Sequence, residues 1–360
     1  MLLPFLLFGV LALGQDPERV FNQASHALRA GDLDAAERGF REVLALEPKN
    51  LGALGNLGVL LNRRNRPYEA IAVYKRALLL APREPGLELN LGLAYMKLDD
   101  HAKALPLFAS VAGRQHPLAP QAKELKATCQ VQLGQIDEAL PVLEALNPTP
   151  NVLYALALAH VKSGAKDKAQ PIFDRLLGQL PAAQAHFLEA QVWYNAGLFD
   201  QALASLERAR AANASLPALD RETGKTLLSL RDNEKALAAL RAALAQDPTD
   251  LEAAYFLGAA LVQTGAYAEG LPHLESVAKL RPDLWGTSYY LGKAQLALGN
   301  PKEALPLLAE AAKRAPNEAP VLYQWARALQ SSGRKLEADR LFRRVSQIQR
   351  QAAAETIVMK

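Results

Sequence analysis

The sequence predicts an all-α protein, an α-solenoid of about ten helix-turn-helix repeats, and three observations support this fold class. A small residue recurs with a period close to 34 residues, apolar residues recur at helical spacing, and Gly or Pro follows many of the helical stretches. A fixed period of this length is typical of helical pairs that stack on one another. The recurring small residues are Ala24, Gly58, Gly92, Ala127, Ala157, Ala190, Gly224, Gly258, Gly292 and Ala326.

Residues 251–284 show the repeat unit most clearly. Counted from the first of them, apolar or small residues occupy positions 4, 7, 8 and 11, which form one face of a helix. Gly265 at position 15 permits the chain to reverse. Leu274 at position 24 belongs to the stripe of a second helix, and Pro282 ends that helix because proline cannot continue the hydrogen-bond ladder. Small residues at positions 8 and 20 let two helix backbones approach closely.

The same marks return along most of the chain. Position 20 is Ala36, Ala70, Ala104, Ala139, Ala169, Ala202, Ala236, Gly270, Ala304 and Ala338. Position 24 is Phe40, Tyr74, Phe108, Leu143, Phe173, Leu206, Leu240, Leu274, Leu308 and Phe342. Glycines are predicted in the inter-helix turns at Gly31, Gly134, Gly164, Gly197, Gly265, Gly299 and Gly333. Prolines are predicted to end second helices at Pro48, Pro82, Pro181, Pro248, Pro282 and Pro316.

These residues resemble the tetratricopeptide repeat (TPR) family over about residues 17–346, as ten repeats. The resemblance implies a right-handed solenoid whose first helices line a concave groove. Repeats 1–3 and 7–10 are regular, whereas repeats 4–6 are irregular and the rhythm breaks between residues 113 and 150. Because a single repeat cannot bury its apolar stripe alone, we expect one elongated domain. The tail, residues 347–360, is expected to continue as a helix that caps the last repeat.

Composition argues against several functions. The net charge of +4 over 360 residues is mild, and there is no basic stripe with interleaved aromatics, so no nucleic-acid partner is indicated. The single cysteine, Cys129, is predicted to be a small buried residue. The sequence contains no metal-binding motif. Gly224-Lys225-Thr226 looks like the end of a phosphate-binding loop but lacks the rest of that motif. His160 falls at a position of the repeat that is predicted to be in the core. The carboxylates fall on faces predicted to be solvated. We therefore expect no catalytic residue, no metal and no cofactor.

Residues 1–14 are uncharged and apolar, and they lie outside the repeats. They are too short to span a bilayer but resemble a secretory signal, with Ala12 and Gly14 at the −3 and −1 places before Gln15. No cysteine follows at once, which disfavours a lipoprotein. TPR chains with such leaders are typical of bacteria, so the expected location is periplasmic or secreted. A retained apolar anchor is the alternative.

In TPR folds, positions 2, 5, 6, 9, 12 and 13 of each first helix face the groove. Position 6 of repeats 1–3 is Asn22, Asn56 and Asn90, and position 13 is Arg29, Arg63 and Lys97. An amide can donate to and accept from a peptide backbone without reading its sequence. The amide row resembles the asparagine ladder in the TPR arm of O-linked N-acetylglucosamine transferase. The cation row would bias binding toward acidic segments.

The later repeats carry aromatic residues instead: position 5 is Tyr255, Tyr289 and Tyr323, and position 6 adds Phe256 and Tyr290. Such rows suit apolar side chains or sugar faces. For both rows, inherited family consensus without a dedicated ligand is the alternative. Neither row crosses the middle repeats, where position 6 is Leu125, Ala155 and Leu188.

These residues favour a non-catalytic scaffold that binds a protein or an extended peptide in its groove. The alternative is a periplasmic binding or assembly module for exported polysaccharide or for secretion machinery, with sugar contacts on the tyrosine row. A substrate-binding arm of an enzyme is disfavoured because no residue set can be singled out for chemistry. The sequence leaves self-association open.

Overall fold

A computed structural model describes residues 16–282 and 284–358 of the chain, and within these ranges it contains α-helices, one short 3-10 helix and no strands. The all-α prediction is confirmed. The first helices of the ten repeats are α1 (Pro17–Ala30), α3 (Leu51–Arg63), α5 (Pro85–Met96), α7 (Ala119–Gln132), α9 (Pro150–Lys162), α11 (Ala182–Asn195), α13 (Leu219–Ser229), α15 (Leu251–Gln263), α17 (Trp285–Ala297) and α19 (Ala319–Ser331). The second helices are α2 (Leu33–Leu46), α4 (Pro67–Leu80), α6 (His101–Ala112), α8 (Ile136–Glu144), α10 (Gln170–Gln179), α12 (Phe199–Ala212), α14 (Asn233–Gln246), α16 (Tyr267–Leu280), α18 (Pro301–Arg314) and α20 (Lys335–Val358).

The helices fall into two compact units. The N-terminal unit extends to Ala169 and contains α1 to α9 and the 3-10 helix Lys166–Lys168, and the C-terminal unit begins at Gln170 and contains α10 to α20. Within each unit, the first and second helix of a repeat contact each other, as in α3 with α4 and α15 with α16. First helices of neighbouring repeats also touch, as α1, α3 and α5 do in the N-terminal unit and α13, α15, α17 and α19 in the C-terminal unit. The first helices of each group therefore form a continuous layer.

Side-chain caps explain where several helices begin. The Asp32 carboxylate accepts a hydrogen bond from the Ala35 amide at 3.0 Å, and the Asn50 side chain accepts one from the Ala53 amide at 2.9 Å. Asp250 accepts from two amides at the start of α15, each at 3.0 Å. These bonds satisfy N–H groups that have no partner inside a helix. Short polar residues between helices thus set the first residue of these helices.

A left-handed residue joins the two helices of every repeat. All seven predicted turn glycines have positive φ, for example 91° at Gly265. In the remaining three repeats the same place is taken by Asn65 (φ 55°), Asp99 (φ 54°) and Arg231 (φ 63°). Asn and Asp tolerate this conformation, but a long side chain is strained in it. The sequence pattern predicted the glycines, and the three substitutes appear only in the structure.

Within each unit, positions 8, 20 and 24 pack the first and second helix of a repeat together. Residues at positions 8 and 20 are buried in all ten repeats, as the repeat pattern predicted. A Cβ atom on Gly58 would lie 2.4 Å from the Tyr74 ring, and one on Gly258 would lie 2.7 Å from Leu274 Cγ. Position 24 therefore fills the space that the position-8 glycine leaves open. The position-24 residues are buried in repeats 1–9, while Phe342 in repeat 10 is half-buried.

Second helices are shorter in the middle of the chain. α8 has 9 residues and α10 has 10, whereas α2, α4, α14, α16 and α18 have 14 each. The division between the two units falls in this stretch, immediately after Ala169. The predicted tail forms one helix with the second helix of repeat 10, since α20 continues through residue 347 to Val358. The predicted leader, residues 1–14, lies outside the described residues.

Candidate partner-binding surfaces

Each unit has a surface formed by its first helices, which we call the first-helix face. It consists of positions 2, 5, 6, 9, 12 and 13 of the first helices. With 3.6 residues per turn, these positions point away from positions 4, 8 and 11, which meet the second helices or the core. The polar and aromatic side chains on this face are the candidates for partner contact, and some of the aromatic ones also pack in part against the core, as Tyr255 and Tyr290 do.

The three asparagines of the predicted amide row occupy equivalent places on α1, α3 and α5, which contact one another in order. Asn22 is exposed, and Asn56 and Asn90 are half-buried. Within the described residues, none of the three side-chain amides makes a hydrogen bond. The donors and acceptors of all three therefore remain free for a partner.

The predicted cation row has partners inside the chain that the sequence did not indicate. Arg63 Nη1 donates to the Leu28 carbonyl at 3.5 Å, and Lys97 Nζ donates to the Asn62 carbonyl at 2.6 Å. Both carbonyls lie in the last turn of the preceding first helix, where the helix dipole favours a cation. Lys162 repeats the arrangement, with its Nζ 3.5 Å from the Val131 carbonyl.

These cations therefore link neighbouring repeats. Burial lowers the pKa of Lys97 and of Lys162, because desolvation penalises the charged ammonium group. Arg29, which belongs to the first repeat, is exposed and has no such partner in the described part of the chain.

In the C-terminal unit, four of the five predicted aromatic residues form one cluster on α15 and α17. The ring centroids of Tyr255 and Phe256 are 5.3 Å apart, those of Tyr255 and Tyr290 are 6.2 Å apart, and those of Tyr289 and Tyr290 are 4.9 Å apart. All three pairs meet edge to face, a favourable geometry for aromatic rings. Burial raises the pKa of each tyrosine in the cluster.

The fifth predicted aromatic, Tyr323, has a different partner. Its ring lies 5.8 Å from the ring of Phe342 on α20, and 45% of the residue is exposed. Trp285 is a further aromatic residue on α17; its ring centroid lies 6.5 Å from that of Tyr289, and it is 36% exposed. It occupies position 1, which is outside the positions predicted to face the groove, so the repeat pattern did not indicate it.

A charged cluster on α13 and α15 was also missed. Lys225 Nζ lies 3.1 Å from carboxylate oxygens of both Glu222 and Glu252, and Arg221 Nη1 lies 2.7 Å from Asp250. The Lys225 ammonium also lies 5.2 Å from the ring centroid of Tyr194 and 5.5 Å from that of Phe256. Reading positions 5, 6 and 9 of repeat 7 by number would have found Arg221, Glu222 and Lys225.

The prediction that carboxylates lie on solvated faces is wrong at Glu88, Glu189 and Asp220, which are all buried. Each has an arginine partner: Glu88 pairs with Arg114, which follows α6, at 2.7 Å, and Glu189 and Asp220 pair with Arg208 and Arg210 on α12 at 2.8 and 2.6 Å. An arginine that meets a buried carboxylate compensates the cost of burying the charge. These pairs hold helices together and lie apart from the first-helix face.

Cys129 is buried, as predicted, and burial raises the pKa of its thiol to about 12, so the thiol is protonated at neutral pH. His160 is buried too, and burial lowers its pKa. Gly224 of the rejected phosphate-loop sequence is buried on α13, where an added Cβ would lie 2.5 Å from Leu240. Among the helices that the structure describes, none has both the length and the apolar character needed to cross a membrane.

Comparisons with known proteins agree with this architecture. A segment of 158 residues is 30% identical to human tetratricopeptide repeat protein 28; it covers 41% of this chain and 6% of that protein. A segment of 134 residues is 29% identical to the mouse BBSome complex member BBS4, covering 36% of this chain and 26% of that one. The chain thus matches only a small part of these relatives. The crystal structure of yeast Tom70 aligns with 93% of this chain, and the alignment covers 86% of the Tom70 chain, with a TM-score of 0.51 and 16% sequence identity. The two chains share the same fold.

The sequence pattern of the tetratricopeptide repeat family matches four stretches, residues 21–85, 89–150, 154–217 and 221–284. A second pattern described as a tetratricopeptide repeat matches residues 261–317. The matches cover well over half of the chain. They support a role as a protein–protein interaction scaffold, and scaffolds of this fold are in general non-catalytic. The chain belongs to the tetratricopeptide repeat family.

Proposed function

We propose that this protein is a non-catalytic scaffold that binds an extended peptide segment on the first-helix face of its N-terminal unit. The observation that carries the proposal is the row formed by Asn22, Asn56 and Asn90. These side chains occupy one position on three successive helices that contact one another, and none has a hydrogen-bond partner within the described residues. A row of free amides can donate to and accept from the backbone of an extended chain.

The row of cations is not part of this binding surface in our proposal. Arg63 and Lys97 donate to backbone carbonyls of the preceding helices, so their charge is already opposed by helix ends. The N-terminal unit would therefore recognise the peptide backbone rather than acidic side chains.

The proposal is tested by selecting peptides from a random display library and measuring single labelled peptides by fluorescence anisotropy. Replacing Asn22, Asn56 and Asn90 together by Ala should weaken binding by about 0.5–1.5 kcal/mol for each net hydrogen bond lost. The circular dichroism spectrum and melting temperature should be unchanged, because these residues lie outside the core. Replacement of the exposed Asn147 and Asn233 by Ala serves as a control and should leave binding unchanged. Wild-type affinity in the triple variant would overturn the proposal.

We further propose that the scaffold works outside the cytoplasm of a bacterium, as residues 1–14 indicate. Mass spectrometry of protein purified from its native host should then find the new N-terminus near Gln15. Soluble cytoplasmic protein that retains residues 1–14 would contradict this location.

The aromatic cluster of α15 and α17 favours a second candidate function, the binding of an exported polysaccharide. Aromatic rings offer apolar area for the faces of sugars. This candidate predicts that replacing Tyr255, Tyr289 and Tyr323 by Ala abolishes partner binding while the asparagine triple variant binds normally. That result would place the partner-binding surface on the C-terminal unit instead of the N-terminal unit.

A further inference from the structure

Two cations on the first-helix face of the C-terminal unit have no partner among the described residues. Lys293 on α17 and Arg327 on α19 both occupy position 9 of their repeats, and the two helices contact each other. Within the described residues, neither side chain makes an ion pair or a hydrogen bond. Lys225, at the same position on α13, instead lies 3.1 Å from both Glu222 and Glu252. Of these three cations at position 9, Lys225 is paired with carboxylates, whereas Lys293 and Arg327 have no carboxylate partner among the described residues.

No acidic residue stands beside these two cations on the first-helix face. The other face positions of α17 and α19 carry aromatic, small, aliphatic, hydroxyl or amide residues. Lys293 is half-buried, and burial lowers its pKa, which means that its charged form lacks the solvation that a free lysine has. An incoming carboxylate would supply the missing counter-charge.

Apolar contact area lies on the same two helices. Tyr289 precedes Lys293 by four residues, so the two side chains are neighbours on α17. Trp285 lies one turn further back and is 36% exposed, and Tyr323 precedes Arg327 by four residues on α19 and is 45% exposed. Each unopposed cation therefore has an aromatic residue on its N-terminal side.

We infer that the first-helix face of α17 and α19 binds an acidic peptide segment in which apolar side chains alternate with carboxylates. The carboxylates pair with Lys293 and Arg327, and the apolar side chains pack on Trp285, Tyr289 and Tyr323. This inference rests on the proposed function in one respect, that the first-helix face is where partners bind. A neutral sugar polymer would use the aromatic rings but would leave the two cations unopposed, and for this reason the peptide is favoured.

The test uses the full chain and a fluorescein-labelled peptide of alternating glutamate and leucine, with fluorescence anisotropy as the readout. A matched peptide with glutamine in place of glutamate should bind much more weakly. The double variant Lys293→Gln with Arg327→Gln should bind the acidic peptide about tenfold more weakly at low salt, and its affinity should vary less with salt. The control double variant Lys302→Gln with Lys313→Gln removes the same charge from exposed sites on α18 and should bind like wild type.

Three results would overturn the inference. They are equal binding by the Lys293/Arg327 double variant, failure of the acidic peptide to bind wild type, and binding of the acidic polysaccharide alginate through the same two cations in place of the peptide. The asparagine triple variant separates this inference from the proposed function. If library-selected peptides still lose affinity in that variant, the N-terminal surface stands although the acidic-segment surface fails. If only the acidic peptide loses affinity, and does so in the Lys293/Arg327 double variant, the acidic-segment surface stands although the N-terminal surface fails.

Discussion

Repeats 2 and 3 of the N-terminal unit and repeats 8 and 9 of the C-terminal unit pack their helices in the same way with different residues. In each, a glycine at position 8 lies under the residue at position 24. An added Cβ would lie 2.5 Å from Phe108 at Gly92 and 2.6 Å from Leu308 at Gly292. An aromatic ring fills the space in the first pair and a leucine in the second. The packing requires a small residue opposite a large one and tolerates either kind of large residue.

The first-helix faces of these repeats differ much more. Repeats 2 and 3 present unpartnered amides and cations that donate to helix ends, whereas repeats 8 and 9 present a cluster of four aromatic rings. Because the glycine and the large residue that pack together lie outside the face positions, the residues of the face can differ between repeats that pack in the same way. The difference between the units therefore concerns what they can bind.

The largest expected effect comes from breaking the packing itself. Gly258→Leu places a large side chain against Leu274 and the Gly270 carbonyl, which would lie 2.7 and 3.1 Å from the new Cβ. It should lower the free energy of unfolding by roughly 1–3 kcal/mol or more. Urea denaturation followed by circular dichroism measures this change.

The matched variant is Gly55→Ala, on a first-helix face, where the nearest atom to an added Cβ is Leu87 Cδ2 at 3.7 Å. It should be neutral or stabilising by up to about 1 kcal/mol, since alanine favours helix. An unchanged stability in Gly258→Leu would contradict the separation of packing and face positions.

A smaller effect is expected at the inter-helix turns. Arg231 in repeat 7 has a φ of 63° where seven repeats have glycine. Arg231→Gly should raise the free energy of unfolding by about 0.5–1 kcal/mol, because relief of the left-handed strain exceeds the added freedom of the unfolded chain. Asn65→Gly in the N-terminal unit should raise the free energy of unfolding by a smaller amount, since asparagine tolerates this conformation.

Gly265→Ala provides the reverse test at a turn where no atom would lie within 4 Å of the new Cβ. The loss of stability, about 1 kcal/mol, would then report on the backbone alone. If Arg231→Gly destabilised the protein, the turn strain assigned to repeat 7 would be wrong.

The smallest effect concerns acid stability in the N-terminal unit, where Glu37 on α2 is surrounded by arginines. Burial opposes the shift, but hydrogen bonds from Arg41 and Arg66 together with their charges lower the pKa of Glu37 from its ordinary 4.5. A lowered folded-state pKa contributes stability above pH 4.5 that is lost as the pH falls through the folded value. Glu37→Gln should thus cost at most about 1 kcal/mol at pH 7, and this difference should shrink on acidification. Thermal melts of both proteins at pH 7 and pH 3.5 or so would show it, and a pH-independent difference would exclude a charge effect.

The repeat and its packing could be predicted from the order of the amino acids alone. The period, the small residues at positions 8 and 20 and the seven turn glycines all follow from local steric requirements, which act within one repeat and so leave a regular mark in the sequence. The burial of Cys129 and His160 followed from their repeat positions in the same way. The amide and aromatic rows could be proposed because position numbers identify the residues that share a face.

The partners of the side chains on that face could not be predicted in this way and depend on the packing of the helices. The hydrogen bond from Lys97 to the Asn62 carbonyl spans 35 residues, and the separation of Tyr323 from the four-ring cluster depends on Phe342 of another helix. The ion pairs of Glu88 with Arg114 and of Lys225 with Glu252 likewise join residues that are 26 and 27 positions apart in the chain. Such contacts depend on distances across the packed layers. A period in the sequence specifies which positions repeat, but the partner of a long charged side chain depends on which residues of other helices the packing brings within its reach.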